Sequence, residues 1–315
     1  TINCLNLISA NFTNISTSGH APPPFSLGFK ELVPAVLLSL CFLVGFPGNL
    51  AVIILKPNWQ NLSRLTQSLM MNLALSDLLC LVTLPLWIYT LLSSWTLGTV
   101  TCKIVAFFVH CSLNSSLLTV TALSVQRYMQ VIHQQRCLQF KKRLLVLLWL
   151  ISMILSIPAL VIRQIVKHDQ QTMCSPSYSS SVQQVAVLFT ESFVGLSSFL
   201  ITASTYICLN RKLNRAVFFN SSWTSKLVSG IIVTFFVLWM PYFMFDLVIA
   251  VAIVQKVPGV LPFFETSYNV FASVTFINSC LNPLLYAFAF KMCGKSKDKT
   301  SENNEEPSVT NDAVA

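Results

Sequence analysis

Inside its long apolar stretches this sequence has few side chains with the chemistry of acids, bases or nucleophiles. The acids there include Asp77, Glu191 and Asp246, and the only histidine is His110. A protease that works within a membrane needs two facing aspartates, a Ser–His pair or a His-Glu-x-x-His metal motif, and no such arrangement is present. The sequence therefore predicts that the chain is not an enzyme and that these groups bind rather than react.

The composition accounts for this scarcity of ionisable groups. Of 315 residues 54% are hydrophobic and 10% charged, which is too little charge to cover a soluble domain, so the apolar excess indicates lipid-facing surface. Since a helix needs about 20 apolar residues to cross a bilayer, the apolar runs predict seven spans: 32–55, 66–92, 99–131, 144–162, 182–209, 227–254 and 261–290. The predicted fold is an all-α bundle of seven transmembrane helices.

The basic residues indicate an orientation in the membrane and not a nucleic-acid partner. The net charge is +9, but the Lys and Arg residues lie at the ends of the apolar runs, with fifteen of the 20 on one side. Cytosolic loops carry such an excess, so the N-terminus is predicted outside and the C-terminus in the cytosol. The domains are then an extracellular segment 1–31, the bundle 32–290 and a cytosolic tail 291–315.

A membrane transporter or channel is the alternative within this fold class. Inverted internal repeats are typical of many transporters, and a channel needs a charged pore lining. No internal duplication stands out, and the spans contain few acids. Both alternatives are therefore disfavoured.

Each predicted span contains a short motif that resembles the rhodopsin-like (class A) G-protein-coupled receptors. In chain order the motifs are Gly48-Asn49, Leu-Ala-Leu-Ser-Asp ending at Asp77, Cys102, Gln126-Arg127-Tyr128, Trp149, Tyr206, Trp239-Met240-Pro241 and Asn282-Pro283-Leu284-Leu285-Tyr286. The resemblance implies a multi-pass plasma-membrane receptor that binds an extracellular ligand and activates a heterotrimeric G protein, with arrestin as a further partner. It places the coupling and switch region at Gln126, Arg127, Tyr128, Tyr206, Pro241, Asn282, Pro283 and Tyr286.

Two of these switch residues have a physical role that does not depend on the resemblance. Pro241 and Pro283 each interrupt the hydrogen-bond ladder of a span and leave a hinge. Activation is then predicted to be a shift between two packings of the helices. A kink that serves only the resting structure is the alternative.

Asp77 is predicted to need a partner or a cation, because an acid at the middle of a membrane costs about 3 kcal/mol or more. Ser116, Asn278 and Ser279 supply oxygen ligands if the second, third and seventh spans pack together. The resemblance implies a sodium ion there, as an allosteric modulator of the resting state, and no other cofactor. The alternative is a protonated, hydrogen-bonded Asp77 that serves only packing.

Covalent modifications are predicted at both sides of the membrane. Cys102 and Cys174 face the oxidising outer side, where a disulfide is expected, with two free thiols as the alternative. Asn11 and Asn14 begin glycosylation triplets in the outer segment. Cys293 precedes a basic segment suited to a membrane surface, which predicts palmitoylation against the membrane lipids, with an unmodified cysteine as the alternative.

The ligand prediction rests on which charged groups the spans contain. A retinal pigment needs a lysine in the seventh span, and amine receptors resemble one another in an acid in the outer third span; both are absent here. An apolar pocket with one arginine fits a carboxylate lipid, since a guanidinium binds a carboxylate through two parallel hydrogen bonds. The alternative is that Arg163 extends to the lipid head groups.

Within the class, the sequence is most similar to the chemoattractant branch, and there to the leukotriene B4 receptors. The similarity includes Ser124-Val125-Gln126-Arg127, Glu191-Ser192-Phe193 and Leu238-Trp239-Met240-Pro241-Tyr242. It implies a Gi-type G protein. Together with the aromatic residues Trp87, Tyr89, Phe189, Phe193 and Phe243, it predicts a ligand site formed by His110, Arg163, Glu191, Trp239, Tyr242 and Asp246.

A peptide or chemokine-like ligand is the alternative, because the Thr-Leu-Pro stretch from Thr83 resembles chemokine receptors. The chain also departs from the family. Gln126 replaces the usual acid before Arg127, and Ser198 stands where the fifth span usually has proline. The missing proline puts the direction of Glu191 in doubt.

Overall fold

A computed structural model describes residues 29–55, 63–132, 141–168, 171–215, 223–259, 263–264, 267 and 270–284. The predictions at Asn11, Asn14, Tyr286 and Cys293 lie outside the described residues.

The described chain consists of apolar helices and one short hairpin. In order the elements are α1 (Phe29–Leu55), α2 (Arg64–Leu81), α3 (Leu84–Leu92), α4 (Gly98–Ile132), α5 (Lys141–Ile162), β1 (Arg163–His168), β2 (Gln171–Pro176), α6 (Ser181–Arg215), α7 (Trp223–Val254) and α8 (Val270–Leu284). Counting α2 and α3 together, six segments are long and apolar enough to cross a membrane, and α8 is a shorter apolar helix over its described length. The predicted helical bundle is confirmed.

The second predicted span is confirmed as one apolar segment, Arg64–Leu92, but it consists of two helices, α2 and α3. The ladder breaks before Pro85, which has no N–H group to donate. The Thr83 hydroxyl donates to the Cys80 carbonyl oxygen at 2.7 Å, and the Thr83 carbonyl accepts from the Leu86 N–H at 3.1 Å. The chain is thereby redirected into α3, which brings Trp87 to the wall of the central cavity.

Helix α4 is the centre of the bundle, and it contacts α2, α5, α6, α7 and β1. Its buried side chains pack with those of α2 and α7 in one cluster, which includes Leu69, Leu73, Leu117, Val120, Trp239 and Phe243. The outward faces stay apolar as well: Ile154 is 64% exposed and Leu200 70% exposed. Apolar side chains on the outside of apolar helices fit a lipid surround.

The Gly48-Asn49 motif joins the first and last helices. A Cβ atom at Gly48 would lie 2.8 Å from the Pro283 side chain, so glycine is needed where α1 approaches α8. The Asn49 side-chain amide donates to the Ser279 carbonyl at 2.8 Å and to the Gly45 carbonyl at 3.0 Å. The motif therefore has a structural role at this contact.

One end of the bundle is closed by the antiparallel β1–β2 hairpin, which apolar patterning did not predict. Ile165 pairs with Cys174 in the hairpin, and Cys174 is disulfide-bonded to Cys102 of α4 with 5.7 Å between their Cα atoms. The predicted disulfide is confirmed. We call this the disulfide end, and the opposite end, where α4 carries Arg127, the Arg127 end.

Candidate functional site

A cavity of about 730 Å³ opens at the disulfide end, between α3, α4, α6, α7, α8 and the hairpin. Most of its wall is aliphatic or aromatic. Five of the six predicted ligand residues line it: His110, Arg163, Glu191, Trp239 and Tyr242. A cavity of this size and character is typical of small-molecule sites.

Arg163 begins β1 and is held inside this cavity. Its Nη1 atom donates to the Cys174 carbonyl oxygen at 3.3 Å. Its guanidinium carbon lies 5.7 Å from the centre of the Trp87 ring, in a cation–π contact. Because the Cys174 carbonyl of the hairpin and the Trp87 ring of α3 both contact it, the Arg163 guanidinium lies in the cavity wall in this structure and does not extend to the lipid head groups.

Glu191 faces the cavity although Ser198 replaces the usual proline. The Tyr242 hydroxyl donates to Glu191 Oε2 at 3.2 Å, which places an acid of α6 against α7. The two helices approach closely here because residue 195 is glycine. A Cβ atom at Gly195 would lie 2.5 Å from the Phe243 ring. Glu191 therefore lies in the cavity wall, where the resemblance to the leukotriene B4 receptors implied it would be.

Asp246 corrects the predicted ligand set, since it is fully buried and is not part of the cavity wall. Its two carboxylate oxygens have no hydrogen-bond partner within the described ranges, but the group lies close enough to Glu191 and Tyr242 to interact with both. The prediction used only its charge and its position along the span. Which side chain reaches the cavity is decided by helix packing.

The predicted aromatic wall is correct in part. Trp87 and Phe243 line the cavity, whereas Phe189, Phe193 and Tyr89 are at least half exposed on the outside. Phe189 and Phe193 each lie two residues from Glu191, and two residues correspond to about 200° around a helix. They therefore face away from the cavity when Glu191 faces into it.

Asp77 is the centre of a second polar site, deep between the helices and fully buried. The Asn282 amide donates to Asp77 Oδ2 at 2.7 Å, and the Ser116 hydroxyl donates to Oδ1 at 3.2 Å. The Ser279 side chain also interacts with this carboxylate. The structure thus brings the predicted residues of the second, third and seventh spans together.

Asn278, the remaining predicted sodium ligand, precedes Ser279 in α8 and is buried with an unused amide. Neither its side-chain oxygen nor its nitrogen has a hydrogen-bond partner among the residues described. Carboxylate, hydroxyl and amide oxygens are the ligands that hard cations take. The residues present therefore fit a sodium ion.

At the Arg127 end, Gln126 bonds to the start of α2 and not to its neighbour Arg127. Its side-chain amide donates to Ser63 Oγ at 2.9 Å and to Thr66 Oγ1 at 3.1 Å. Two buried nitrogens of Arg127, Nε and Nη2, have no hydrogen-bond partner in the described part of the chain. In the described part of the chain, Gln126 and Arg127 therefore do not share a side-chain hydrogen bond.

The other predicted switch residues lie along the inner faces and bends of three helices. Tyr128 and Tyr206 are half-buried on α4 and α6. Pro241 lies within α7, next to Trp239, whose ring stacks on Phe243 with 5.4 Å between the ring centres. Their positions are as expected, and their roles in a switch stay predictions.

One polar network was missed by the sequence analysis. The Trp149 indole N–H donates to Asn72 Oδ1 at 2.8 Å, and the Asn72 amide donates to Thr119 Oγ1 at 2.7 Å. The signal for it was Asn72 within an apolar run, since a buried amide needs partners. Which partners it takes follows only from the packed helices, and the network explains why α5 carries Trp149.

Comparison with known proteins agrees with this architecture. Residues 48–286 match the family described as 7 transmembrane receptor (rhodopsin family). The chain belongs to this family of G-protein-coupled receptors, whose members are receptors and not enzymes, and it is a multi-pass plasma-membrane protein.

Its similar relatives include receptors named for a lipid and for a peptide. Leukotriene B4 receptor 1 from Homo sapiens is 31% identical over 291 residues, which cover 87% of this chain and 81% of that protein. Type-1 angiotensin II receptor A from Xenopus laevis is 30% identical over 271 residues, covering 80% and 75% respectively. The human type-1 angiotensin II receptor is 29% identical over 275 residues, covering 81% and 76%.

Proposed function

We propose that this receptor binds a carboxylate lipid mediator such as leukotriene B4 and activates a Gi-type G protein. The observation that carries the proposal is one guanidinium, that of Arg163, held inside a largely apolar cavity. A carboxylate head group finds charge-assisted hydrogen bonds there, and the apolar tail finds aliphatic and aromatic walls. The disulfide end is then the extracellular end.

The second candidate is a peptide agonist. It is favoured by the similarity to the type-1 angiotensin II receptors and by Glu191, an acid in the cavity wall that suits a basic group of a peptide. The lipid is favoured because Arg163 lies in a wall that is mostly aliphatic or aromatic, which suits an acid with a long apolar tail.

The experiment is a cell-based G-protein readout with a panel of carboxylate lipids, their methyl esters and chemoattractant peptides. We expect Gi-type activation by a lipid acid and a much weaker response to its ester. Activation by peptides with no response to any lipid acid would replace the proposal with the second candidate. Cells that express no receptor are the control.

We also propose that sodium binds at Asp77, Ser116, Asn278 and Ser279 and favours the resting state. The support is the buried carboxylate together with the unused Asn278 amide. When bound, the ion supplies positive charge that stabilises the ionised form of Asp77. The Asn282 amide holds one Asp77 oxygen, so it links this site to the Pro283 hinge.

A further inference from the structure

Trp87 has a feature that the proposed head-group site does not yet use. The residue lines the cavity from α3, and its indole Nε1 atom is buried with no hydrogen-bond partner in the described parts of the chain. Buried donors are almost always paired in native proteins. A donor left unpaired in the wall of a ligand cavity indicates a partner supplied by the ligand.

Neighbouring tryptophans show what a structural indole does in this bundle. Trp95 packs against Trp87 with 6.0 Å between the ring centres, and its N–H donates to the Gly98 carbonyl at 3.0 Å. Trp149 donates to Asn72. Both indoles use their N–H groups to hold one part of the protein to another, whereas the Trp87 N–H has no such partner among the described residues.

The position of Arg163 gives the chemistry of the missing partner. Its guanidinium lies over the face of the Trp87 ring, 5.7 Å from the centre, while the indole N–H points outward in the ring plane. The two side chains are thus in contact and each has N–H groups that donate. An anionic acceptor suits this place, because guanidinium and indole N–H groups donate and do not accept.

We propose that the Trp87 indole N–H and the Arg163 guanidinium form a two-donor clamp for one carboxylate of the ligand. One oxygen accepts from Trp87 and the other from Arg163, while the cation–π contact keeps the two donors in register. This inference rests on the proposed function. It adds a specificity-determining residue, since a clamp with two donors distinguishes a carboxylate from an ester more strongly than Arg163 alone.

The test compares Trp87→Phe with Trp95→Phe in membranes that contain the full-length receptor. Phenylalanine keeps an aromatic face for Arg163 and removes the N–H donor together with part of the ring, a loss of ring area that the Trp95→Phe control shares. Saturation binding of tritiated leukotriene B4 and competition by its methyl ester are measured, so that affinity is read independently of receptor density. Because a hydrogen bond to a charged group is lost, Trp87→Phe should weaken the acid about 10-fold or more. The ester should lose only about threefold.

Trp95→Phe is the matched control, because it removes an indole N–H that already has a protein partner. It should shift acid and ester affinities by the same factor. The double variant Trp87→Phe/Arg163→Ala should lose less than the product of the two single losses, since the two donors share one ligand group.

The outcomes separate the two proposals. Equal affinity of the acid for wild type and Trp87→Phe, with a loss in Arg163→Ala, overturns the clamp and leaves the lipid-receptor proposal intact. Equal losses of acid and ester in Trp87→Phe also overturn the clamp, because the indole then acts only through packing. No binding of the acid to wild type overturns leukotriene B4 as the ligand, and the clamp with it.

Discussion

Each end of the bundle contains an arginine, and the two are restrained very differently. Arg163 at the disulfide end is bonded to the Cys174 carbonyl and stacked over Trp87, on a hairpin that is covalently attached to α4. Arg127 at the opposite end has two buried nitrogens without a hydrogen-bond partner among the described residues. The neutral Gln126 beside it bonds instead to Ser63 and Thr66.

This difference suits the two tasks of a receptor. A head-group site gains affinity when its donors are already in place before the ligand arrives. A coupling site must change between two states, and weak restraints keep those states close in free energy. The asymmetry therefore predicts large effects of substitutions at the disulfide end and small shifts of an equilibrium at the Arg127 end.

The largest effect is expected from removing the disulfide. Cys102→Ser opens a bridge that joins residues 72 positions apart, and loop-closure entropy puts the loss at about 4 kcal/mol. The hairpin would no longer hold Arg163, so ligand binding should be lost and the melting temperature of purified receptor should fall. Cys208→Ser, which replaces an exposed free cysteine, is the control and should leave both unchanged. Normal binding by Cys102→Ser would show that the hairpin is held by its hydrogen bonds alone.

Arg163→Ala should have the next largest effect. Losing a charge-assisted hydrogen bond is expected to weaken a lipid acid by about 1.5–3 kcal/mol, measured as its potency at receptors of equal surface density. Lys167→Ala removes an exposed cation from the same strand and should have little effect, which separates a specific contact from the general attraction of an anion. An unchanged potency in Arg163→Ala would place the head group elsewhere.

Sodium bound at the proposed Asp77 site should change the affinity of the receptor for its agonist. Raising sodium against a matched inert cation should lower agonist affinity about tenfold, because ion and agonist favour different states and their coupling is reciprocal. Asp77→Asn should abolish the effect. Ser116→Ala, which removes one hydroxyl that donates to Asp77, should reduce it while leaving the charge in place. Wild-type affinity that is indifferent to sodium would contradict the ion site.

Sequence patterning predicted what depends on period and composition, and failed where packing decides. Apolar run lengths predicted the helices, and the single charge of Arg163 predicted its place in the cavity. The break before Pro85 was missed because α2 and α3 form one apolar run. The hairpin was missed because its two strands have only six residues each, which is too short to stand out as a pattern. Asp246 was misplaced because charge alone does not say which side of a crowded helix faces the cavity.

The partners of polar groups were the least predictable feature. The sequence identified Gln126 only as the residue that replaces the usual acid before Arg127, and its hydrogen-bond partners were not predicted. Adjacent residues on a helix point about 100° apart, and the Gln126 amide reaches Ser63, the N-cap of α2, instead. Such contacts depend on two helices at once, so no single stretch of sequence encodes them.

The smallest effect is expected at this position, and it tests the comparison most directly. Gln126→Asp introduces the acid that related receptors have beside Arg127. Aspartate, like asparagine, is one methylene shorter than glutamine, so Gln126→Asp and Gln126→Asn change the contacts with Ser63 and Thr66 alike. What differs between them is the charge beside Arg127. An ion pair should favour the resting state by about 1 kcal/mol, which is a factor of about five in a two-state ratio.

The measurement is ligand-free nucleotide exchange on the G protein at equal receptor density. Basal exchange should fall about fivefold in Gln126→Asp, because the minor active population falls by about that factor when the two-state ratio shifts toward the resting state. Gln126→Asn, which shortens the side chain without adding charge, separates electrostatics from the loss of the α2 contact and should not lower exchange. If exchange in Gln126→Asp equals or exceeds that of wild type, Arg127 is already restrained by another group. The two ends of the bundle would then not differ in the way their arginines suggest.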